Sequence, residues 1–276
     1  MPKDSGLLLR ATPHVEADAS EATPIEDERT LDEAADQRSL VLLRAFDLAG
    51  GGNSIGLPTR AQRLVALLAV THRALSRSTV AARLWPDVVN AKANASLRAT
   101  LWSLARYPPS LVVVEGGMLV LDPDIRLDLD EAYKVAESIL DGTYSCENGC
   151  SEAMLSEDLL PAWTDEWLAI ERERFRQTRL HALDELCVLH ARAGRFARAI
   201  AAGLASVSSE PTRESAHRAL MTAHLLEGNR MEAIRQYHTY LSIAKAEMGI
   251  GPSDRLQDLF LSALRDAPSD EAMTPR

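Results

Sequence analysis

The sequence of 276 residues contains little cysteine and no long apolar segment. Three cysteines are too few for a disulfide framework, and Cys146 and Cys150, in SCENGC, have no neighbouring histidine or third cysteine to complete a zinc site. Reduced thiols in a loop are therefore expected, with a redox or metal role as the alternative. The apolar run from Leu64 to Val70 is far too short to span a bilayer, and no signal-peptide pattern is present. These absences predict a cytoplasmic protein without a membrane segment.

Signatures of catalysis and of cofactor binding are missing as well. No Gly-Lys-Ser/Thr follows Gly50–Gly52, so these glycines predict a hairpin turn and not a phosphate loop. No nucleophile elbow is present, and none of the histidines stands in HExxH. A structural role is expected for the histidines that recur in the C-terminal half (His181, His190, His217, His224 and His238). We expect no enzyme, no cofactor and no metal site.

The net charge of −10 is unevenly distributed along the chain. Residues 39–127 contain ten basic and five acidic side chains, whereas acidic side chains predominate in residues 1–38 and 128–276. Only the middle segment suits a polyanion such as DNA. Residues 1–38 have few large apolar side chains, so a disordered, solvated leader is expected; the alternative is that its acidic side chains compete with DNA for the basic segment. A disordered tail is expected at residues 268–276.

The order of elements in the basic segment is that of a winged helix-turn-helix. Short strands surround the Gly-Gly-Gly-Asn turn, three helices follow, and SLVVVEGGMLVLDP gives two strands that close the module. Thr59 and Gln62 fit a capping box for the first helix, and Ser76 or Ser78 begins the second. The third helix, from about Ala91, would enter the major groove while the hairpin lies along the flanking backbone.

The third helix has one face for the core and one for a ligand. At about 100° per residue Leu97, Leu101 and Leu104 form a single arc that must face the core. Trp102 lies on the other side; packing against a neighbouring helix is expected, with a place near DNA as the alternative. Candidate DNA contacts on this helix and at the starts of the first two helices are Lys92, Asn94, Ser96, Arg98, Ser103, Arg106, Arg60 and Arg77.

A repeat of 34 residues organises the C-terminal half. His190 and Gly194 in HARAGRFARAIAAG recur as His224 and Gly228 in HLLEGNRMEAIRQY. This period, with small residues where helices cross, is the tetratricopeptide pattern, whose stacked helices present a groove to partner segments. ERERFRQTR, at residues 171–179, predicts a charged helix face with intrahelical Glu–Arg pairs and not a second nucleic-acid patch.

These segments together resemble bacterial activators of the SARP type, in which an OmpR-type winged helix precedes a bacterial transcriptional activation domain. The matching stretches include TRAQRLVALLAV, RSTVAARLWPD and NASLRATLWSL, and in the second domain AGRFARAIAAGLASVSSEPTRESAHRALMTAHLLEGNRMEAIRQYHTY; they cover most of the chain from Leu40 to about Leu264. The resemblance implies a mainly α fold, with an α+β winged helix at residues 39–127 and an all-α repeat domain at residues 128–267.

The resemblance also implies a function and two partners. The third helix would read promoter repeats, and the protein would recruit RNA polymerase, with Asp87, Val88, Val89 and Asn90 as the candidate contact. A homodimer and a nucleoid-bound state are compatible with this. Family members commonly end the recognition helix with several arginines, whereas SLARYPPS leaves only Arg106, which predicts fewer phosphate contacts. The alternative is a tetratricopeptide interaction module whose winged helix no longer binds DNA.

Overall fold

The computed structural model describes residues 38–108, 110–145 and 151–265. The predictions for the leader up to residue 37, for Cys146 and Cys150 and for the tail lie outside these ranges. The seven strands described are β1 (Ser39–Val41), β2 (Asp47–Gly50), β3 (Asn53–Ser54), β4 (Leu75–Ser76), β5 (Val112–Glu115), β6 (Met118–Leu121) and β7 (Arg126–Leu127).

The strands form two small sheets. The first has the order β3-β2-β1-β7, with β1 antiparallel to β2 and parallel to β7. Its register places the buried Leu40 between Leu48 and Leu127. The second has the order β4-β6-β5, and Gly116 and Gly117, both at positive φ, form the β5–β6 turn that glycine allows without strain. The predicted closing hairpin is therefore present.

Three helices follow β3 in the chain: α1 (Thr59–Thr71) precedes β4, and α2 (Arg77–Leu84) and α3 (Asn90–Leu104) lie between β4 and β5. Ser76 caps α2, because its hydroxyl accepts the amide of Thr79 at 3.1 Å. The capping box at Thr59 was wrong: the helix begins after Pro58 without a side-chain cap, and the Gln62 amide donates to the Leu57 carbonyl instead. Pro58 occupies the N-cap, where its ring fixes φ and its carbonyl accepts the amides of Ala61 and Gln62 at 2.8 and 3.0 Å.

The remaining chain is helical. It contains α4 (Asp128–Leu140), a short 3-10 helix (Ser151–Ser156), and then α5 (Glu166–Arg192), α6 (Phe196–Ser209), α7 (Glu214–Glu227), α8 (Arg230–Glu247) and α9 (Asp254–Arg265). Gly194 and Gly228 both have positive φ and lie at equivalent turns, as the 34-residue period predicts. Ala199 and Ala233, also one period apart, are both completely buried where helices cross.

The core of the winged helix continues into the repeat region. Leu159, Leu160, Leu168 and Phe175 belong to the same apolar cluster as α1, α2 and α3. The backbone of residues 157–160 runs beside the first sheet, where the Leu160 amide donates to the Leu42 carbonyl at 2.9 Å. Sheet, helices and repeat region therefore share one packed interior.

Asp128 holds α4 against the first sheet. Its two carboxylate oxygens accept the amides of Leu42 and Leu43 at 2.8 and 2.9 Å. Burial raises the pKa of Asp128, although these backbone hydrogen bonds act in the opposite direction. The Asp128 carboxylate thus satisfies two backbone donors in the turn that follows β1.

The observed architecture is mainly α, with a small α+β winged helix followed by a helical repeat domain, as the sequence predicts. Within the described residues no helix is both long and apolar enough to cross a membrane. In the same residues no group of three or more His, Cys, Asp or Glu side chains is arranged to hold a metal ion.

Candidate nucleic-acid interface

The helix α3 packs against α1 and α2 through one side. Leu97 and Leu104 are buried as expected, whereas Leu101 is only partly buried against the core. Ala93 and Thr100 complete the buried side, and the Thr100 hydroxyl donates to the Ser96 carbonyl at 2.9 Å. A threonine satisfied within its own helix can be buried at small cost. The buried side of α3 therefore includes a threonine, which the spacing of the leucines alone does not predict.

The opposite side of α3 is exposed and free of acidic residues. We call it the α3 outer face; it consists of Lys92, Ala95, Arg98, Ala99, Trp102 and Arg106. The side chains of Lys92 and Arg98 have no hydrogen-bond or ion-pair partner among the described residues. The face thus offers cations that the fold itself does not use.

Trp102 is exposed, so the expectation that it packs against a neighbouring helix was wrong. Its side chain is 67% exposed and contacts the guanidinium of Arg106, which lies 4.3 Å above the ring centroid. Trp102 and Arg106, about one helical turn apart, form a cation–π pair. Helical spacing places Trp102 opposite the core, whereas its apolar character predicts burial. The exposed side chain agrees with the spacing.

The three polar candidates on α3 lie at the margins of the outer face. Ser96 and Ser103 are half-buried, on the flank next to Lys92. The Asn94 side chain is turned back, with its amide donating to the Asn90 carbonyl at 2.9 Å. The structure therefore gathers Lys92, Arg98 and Arg106 on one face but leaves Asn94 bonded within the helix.

Arg60 and Arg77 stand in the first turns of α1 and α2, and both are exposed. Neither side chain has a partner in the described part of the chain. Because the first amides of a helix point outward, these two starts suit phosphate groups more than base edges.

The hairpin of β5 and β6 contributes little charge. Its sequence, VVVEGGMLVL, contains no lysine or arginine, and Glu115 precedes the turn. A wing that lies along a phosphate backbone usually supplies cations. Attraction for a polyanion would therefore depend mainly on the α3 outer face and on the helix starts.

The loop between α2 and α3 borders a cleft shared with α5. In this loop Asp87 and Val89 are exposed, Val89 to 74%, whereas Val88 packs against the core. The cleft, of about 1020 Å³, is bordered by this loop and by the first turns of α5, including the exposed Ile170. The candidate polymerase contact thus lies where the two halves of the molecule meet.

Arg63 joins the two sides of this cleft. Its Nε donates to Asp165 Oδ1 at 2.7 Å and its Nη2 donates to the Leu84 carbonyl at 3.0 Å. Leu84 ends α2, and Asp165 directly precedes α5. One side chain from α1 therefore fixes the loop that precedes α3 relative to the repeat helices.

The four arginines of residues 171–179, in the first half of α5, are used by the fold. Glu171–Arg174 and Glu173–Arg176 form the predicted intrahelical pairs. Arg172, however, donates to the carbonyls of residues 159, 160 and 163, and Arg179 is buried, bonding to Asp158, the Leu155 carbonyl and Ser209. Two of the four therefore hold the segment that precedes the helix.

Fold and site define a class: a winged helix with an open, basic third helix, followed by tetratricopeptide-like repeats. Residues 153–264 match the family model described as "Bacterial transcriptional activator domain". Residues 153–264 therefore form a domain of the bacterial transcriptional activator type. No curated protein sequence matches the chain.

A solved structure has the same architecture. It is Mycobacterium tuberculosis EmbR in complex with a low-affinity phosphopeptide, with a TM-score of 0.66 and 19% sequence identity over 85% of this chain. The match covers 66% of that chain, so our protein spans about two thirds of its length. The fold and the domain matched at residues 153–264 are those that the resemblance to SARP-type regulators implied.

Proposed function

We propose that this protein is a sequence-specific DNA-binding activator that binds promoter repeats through α3 and recruits RNA polymerase. The observation that carries the proposal is the α3 outer face, where Lys92, Arg98 and Arg106 are exposed while no acidic residue stands on the helix. In a chain of net charge −10, an acid-free helix with uncommitted cations is the surface best suited to a polyanion.

Arg98 would donate to guanine edges or to phosphates, because its guanidinium has no partner in the described structure. The small side chains of Ala95 and Ala99 allow the backbone of α3 to approach the base pairs. Arg60 and Arg77 would bind phosphates and so fix the orientation of the helix without reading sequence.

Asp87, Val88 and Val89 of the loop and Asn90, the first residue of α3, would contact RNA polymerase. Val89 supports this role, because a 74% exposed valine next to the exposed Asp87 offers an apolar and an acidic contact together. The loop stands beside α3 and beside the cleft of Arg63, so a bound polymerase would meet both halves of the protein.

A second candidate is a protein-interaction module whose winged helix does not bind DNA. Two observations favour it: the hairpin has no lysine or arginine, and Arg106 is the one cation between Arg98 and the end of the hairpin. The two functions differ in one measurable property, since only DNA binding through phosphates must weaken steeply with salt.

The test is a mobility-shift titration of the full chain on the region upstream of its own gene. We expect a shifted band whose affinity falls between about 50 and 200 mM salt, with a log–log slope of about −0.9 per phosphate contact. Changing Lys92, Arg98 and Arg106 together to Gln should flatten this slope. A full chain that binds no duplex, or binds independently of salt, contradicts the proposal and favours the interaction module.

The full chain is used because a fragment ending at residue 127 lacks part of its own core. Leu159, Leu160 and Phe175 would be missing from the cluster that supports α1 and α3. Failure of such a fragment would report on folding and not on DNA.

A further inference from the structure

The centre of the α3 outer face is apolar. Ala95, Ala99 and Trp102 are exposed there, while Lys92, Arg98 and Arg106 surround them. None of the three central side chains can accept a hydrogen bond, and only the indole N–H of Trp102 can donate one. The middle of the face therefore cannot read bases through the paired hydrogen bonds that Arg, Asn or Gln make.

The surroundings of this apolar centre select its partner. A protein or a second copy would have to face three cations with no carboxylate on the helix to balance them. The major groove of B-DNA is about 12 Å wide and accepts a helix of about 10–12 Å diameter. Its phosphates would meet the flanking cations, so duplex DNA is the occupant that both charge and shape favour.

Within the major groove the C5-methyl group of thymine is the apolar group that distinguishes bases. Ala95 and Trp102 are seven residues apart, about 10 Å along the helix at 1.5 Å per residue, which corresponds to about three base-pair steps. We propose that Ala95, Ala99 and Trp102 read thymine methyl groups, so that the sites bound by this protein contain A·T pairs at the centre of the contacted groove. This inference rests on the proposed function.

Trp102 has the larger part in this contact. Its ring is held on one side by the guanidinium of Arg106 at 4.3 Å, which restricts the indole before DNA arrives. The same contact directs Arg106 toward the flank of the helix, where a phosphate would lie. Trp102 is therefore a specificity-determining residue, and Arg106 is a phosphate contact that Trp102 positions.

The test uses duplexes selected by the full chain from a random pool, in which thymines are then replaced by uracil. Uracil differs from thymine by the methyl group alone, so hydrogen bonds and phosphates are unchanged. We expect thymines to be enriched at the centre of each selected half-site, and each central replacement to weaken binding about fourfold. This follows from about 0.8 kcal/mol per buried carbon group and 1.4 kcal/mol per factor of ten.

Two variants separate the roles. Trp102→Ala should lose the thymine preference at the position that the indole contacts and keep it where Ala95 and Ala99 contact the groove, whereas Arg106→Ala should weaken binding to both kinds of duplex and flatten the salt dependence. Ile170→Ala, which removes an equally exposed apolar side chain from α5, should leave affinity and thymine preference unchanged. Trp102→Phe should retain part of the preference.

The outcomes distinguish this inference from the proposed function. If duplexes are enriched but uracil binds as well as thymine, or if Trp102→Ala keeps the full preference at every central position, the methyl contact is wrong and DNA binding stands. If the pool yields no enriched duplex, the proposed function fails and this inference fails with it.

Discussion

Arg98 on α3 has no hydrogen-bond or ion-pair partner in the described structure, whereas Arg172, Arg176 and Arg179 on α5 each bind carbonyl or carboxylate oxygens. The α5 helix has more arginines than α3, but its own glutamates neutralise some of them. Other arginines of α5 bind the segment of residues 155–163, which lies against the first half of the helix. The α3 helix has few cations and no acid. Uncommitted charge, and not the number of arginines, marks the candidate nucleic-acid interface.

The largest expected effect falls on the α5 side of this comparison. Arg179→Ala should lower the free energy of unfolding by about 3 kcal/mol, because it leaves the Leu155 carbonyl without its donor and opens a cavity at a buried side chain. Chemical denaturation measures this. Arg174→Ala is the matched control, since that arginine is exposed in an intrahelical pair and should cost less than about 0.5 kcal/mol. Equal effects from the two variants would contradict the comparison.

The reverse is expected on α3. Arg98→Ala should leave the free energy of unfolding within about 0.5 kcal/mol of the original protein, because the side chain has no partner to lose. DNA affinity should fall by about 1–3 kcal/mol if Arg98 makes a bidentate base contact. Titration of the selected duplex with both proteins checks this, after circular dichroism shows the same fold. A stability loss without an affinity loss would place Arg98 with the arginines of α5.

An intermediate loss of stability is expected for Arg63, which is neither buried like Arg179 nor without a partner like Arg98. Arg63→Ala removes the hydrogen bonds to Asp165 and to the Leu84 carbonyl at partly buried positions, and should cost about 1–2 kcal/mol. Faster hydrogen exchange at residues 84–90 and 165–168 should accompany this, because the loop and the start of α5 lose their common tie. Unchanged exchange in both segments would show that apolar packing alone fixes the cleft.

The smallest expected effect is a pH dependence that belongs to the repeat helices. Burial lowers the pKa of His217, whose Nε2 bonds to the Pro211 carbonyl and whose Nδ1 accepts from Gln236. Since the folded pKa is depressed, this contribution to stability is complete above the ordinary value of 6.5 and is lost as the pH falls below it.

Urea unfolding at about pH 7.5 and about pH 5.5 tests this expectation. The free energy of unfolding should fall by up to about 1 kcal/mol on acidification, and His217→Gln should reduce the fall because glutamine does not titrate. An unchanged fall in the variant would assign the pH dependence to other groups.

Much of the fold could be predicted from the order of local signals. Ser76 before a short apolar pattern predicted α2, Gly116-Gly117 between valine-rich runs predicted the closing hairpin, and the recurrence of Gly194 at Gly228 predicted the repeat turns. Each of these depends on a few neighbouring residues, whose conformational preferences act without help from the rest of the chain.

The candidate site was predictable in position and less so in detail. Helical spacing placed Lys92 and Arg106 opposite the core and Arg98 on the flank, and the structure exposes all three. The same spacing placed Trp102 beside them, although its apolar surface argued for burial. Asn94 was a candidate by residue type, and only its bond to the Asn90 carbonyl shows that the helix already uses its amide.

By itself, the sequence determined the succession of elements and the repeat period, because helix caps, glycine turns and apolar spacing are local properties. The tertiary structure decided which charges are free. Arg179 and Arg98 look alike in sequence, but residues 155–163 fold back against α5 and surround the first with oxygens, while no segment in the described chain covers the second. Such a difference arises from residues far apart in the chain, and it separates an arginine that supports the fold from one that is free to bind a ligand.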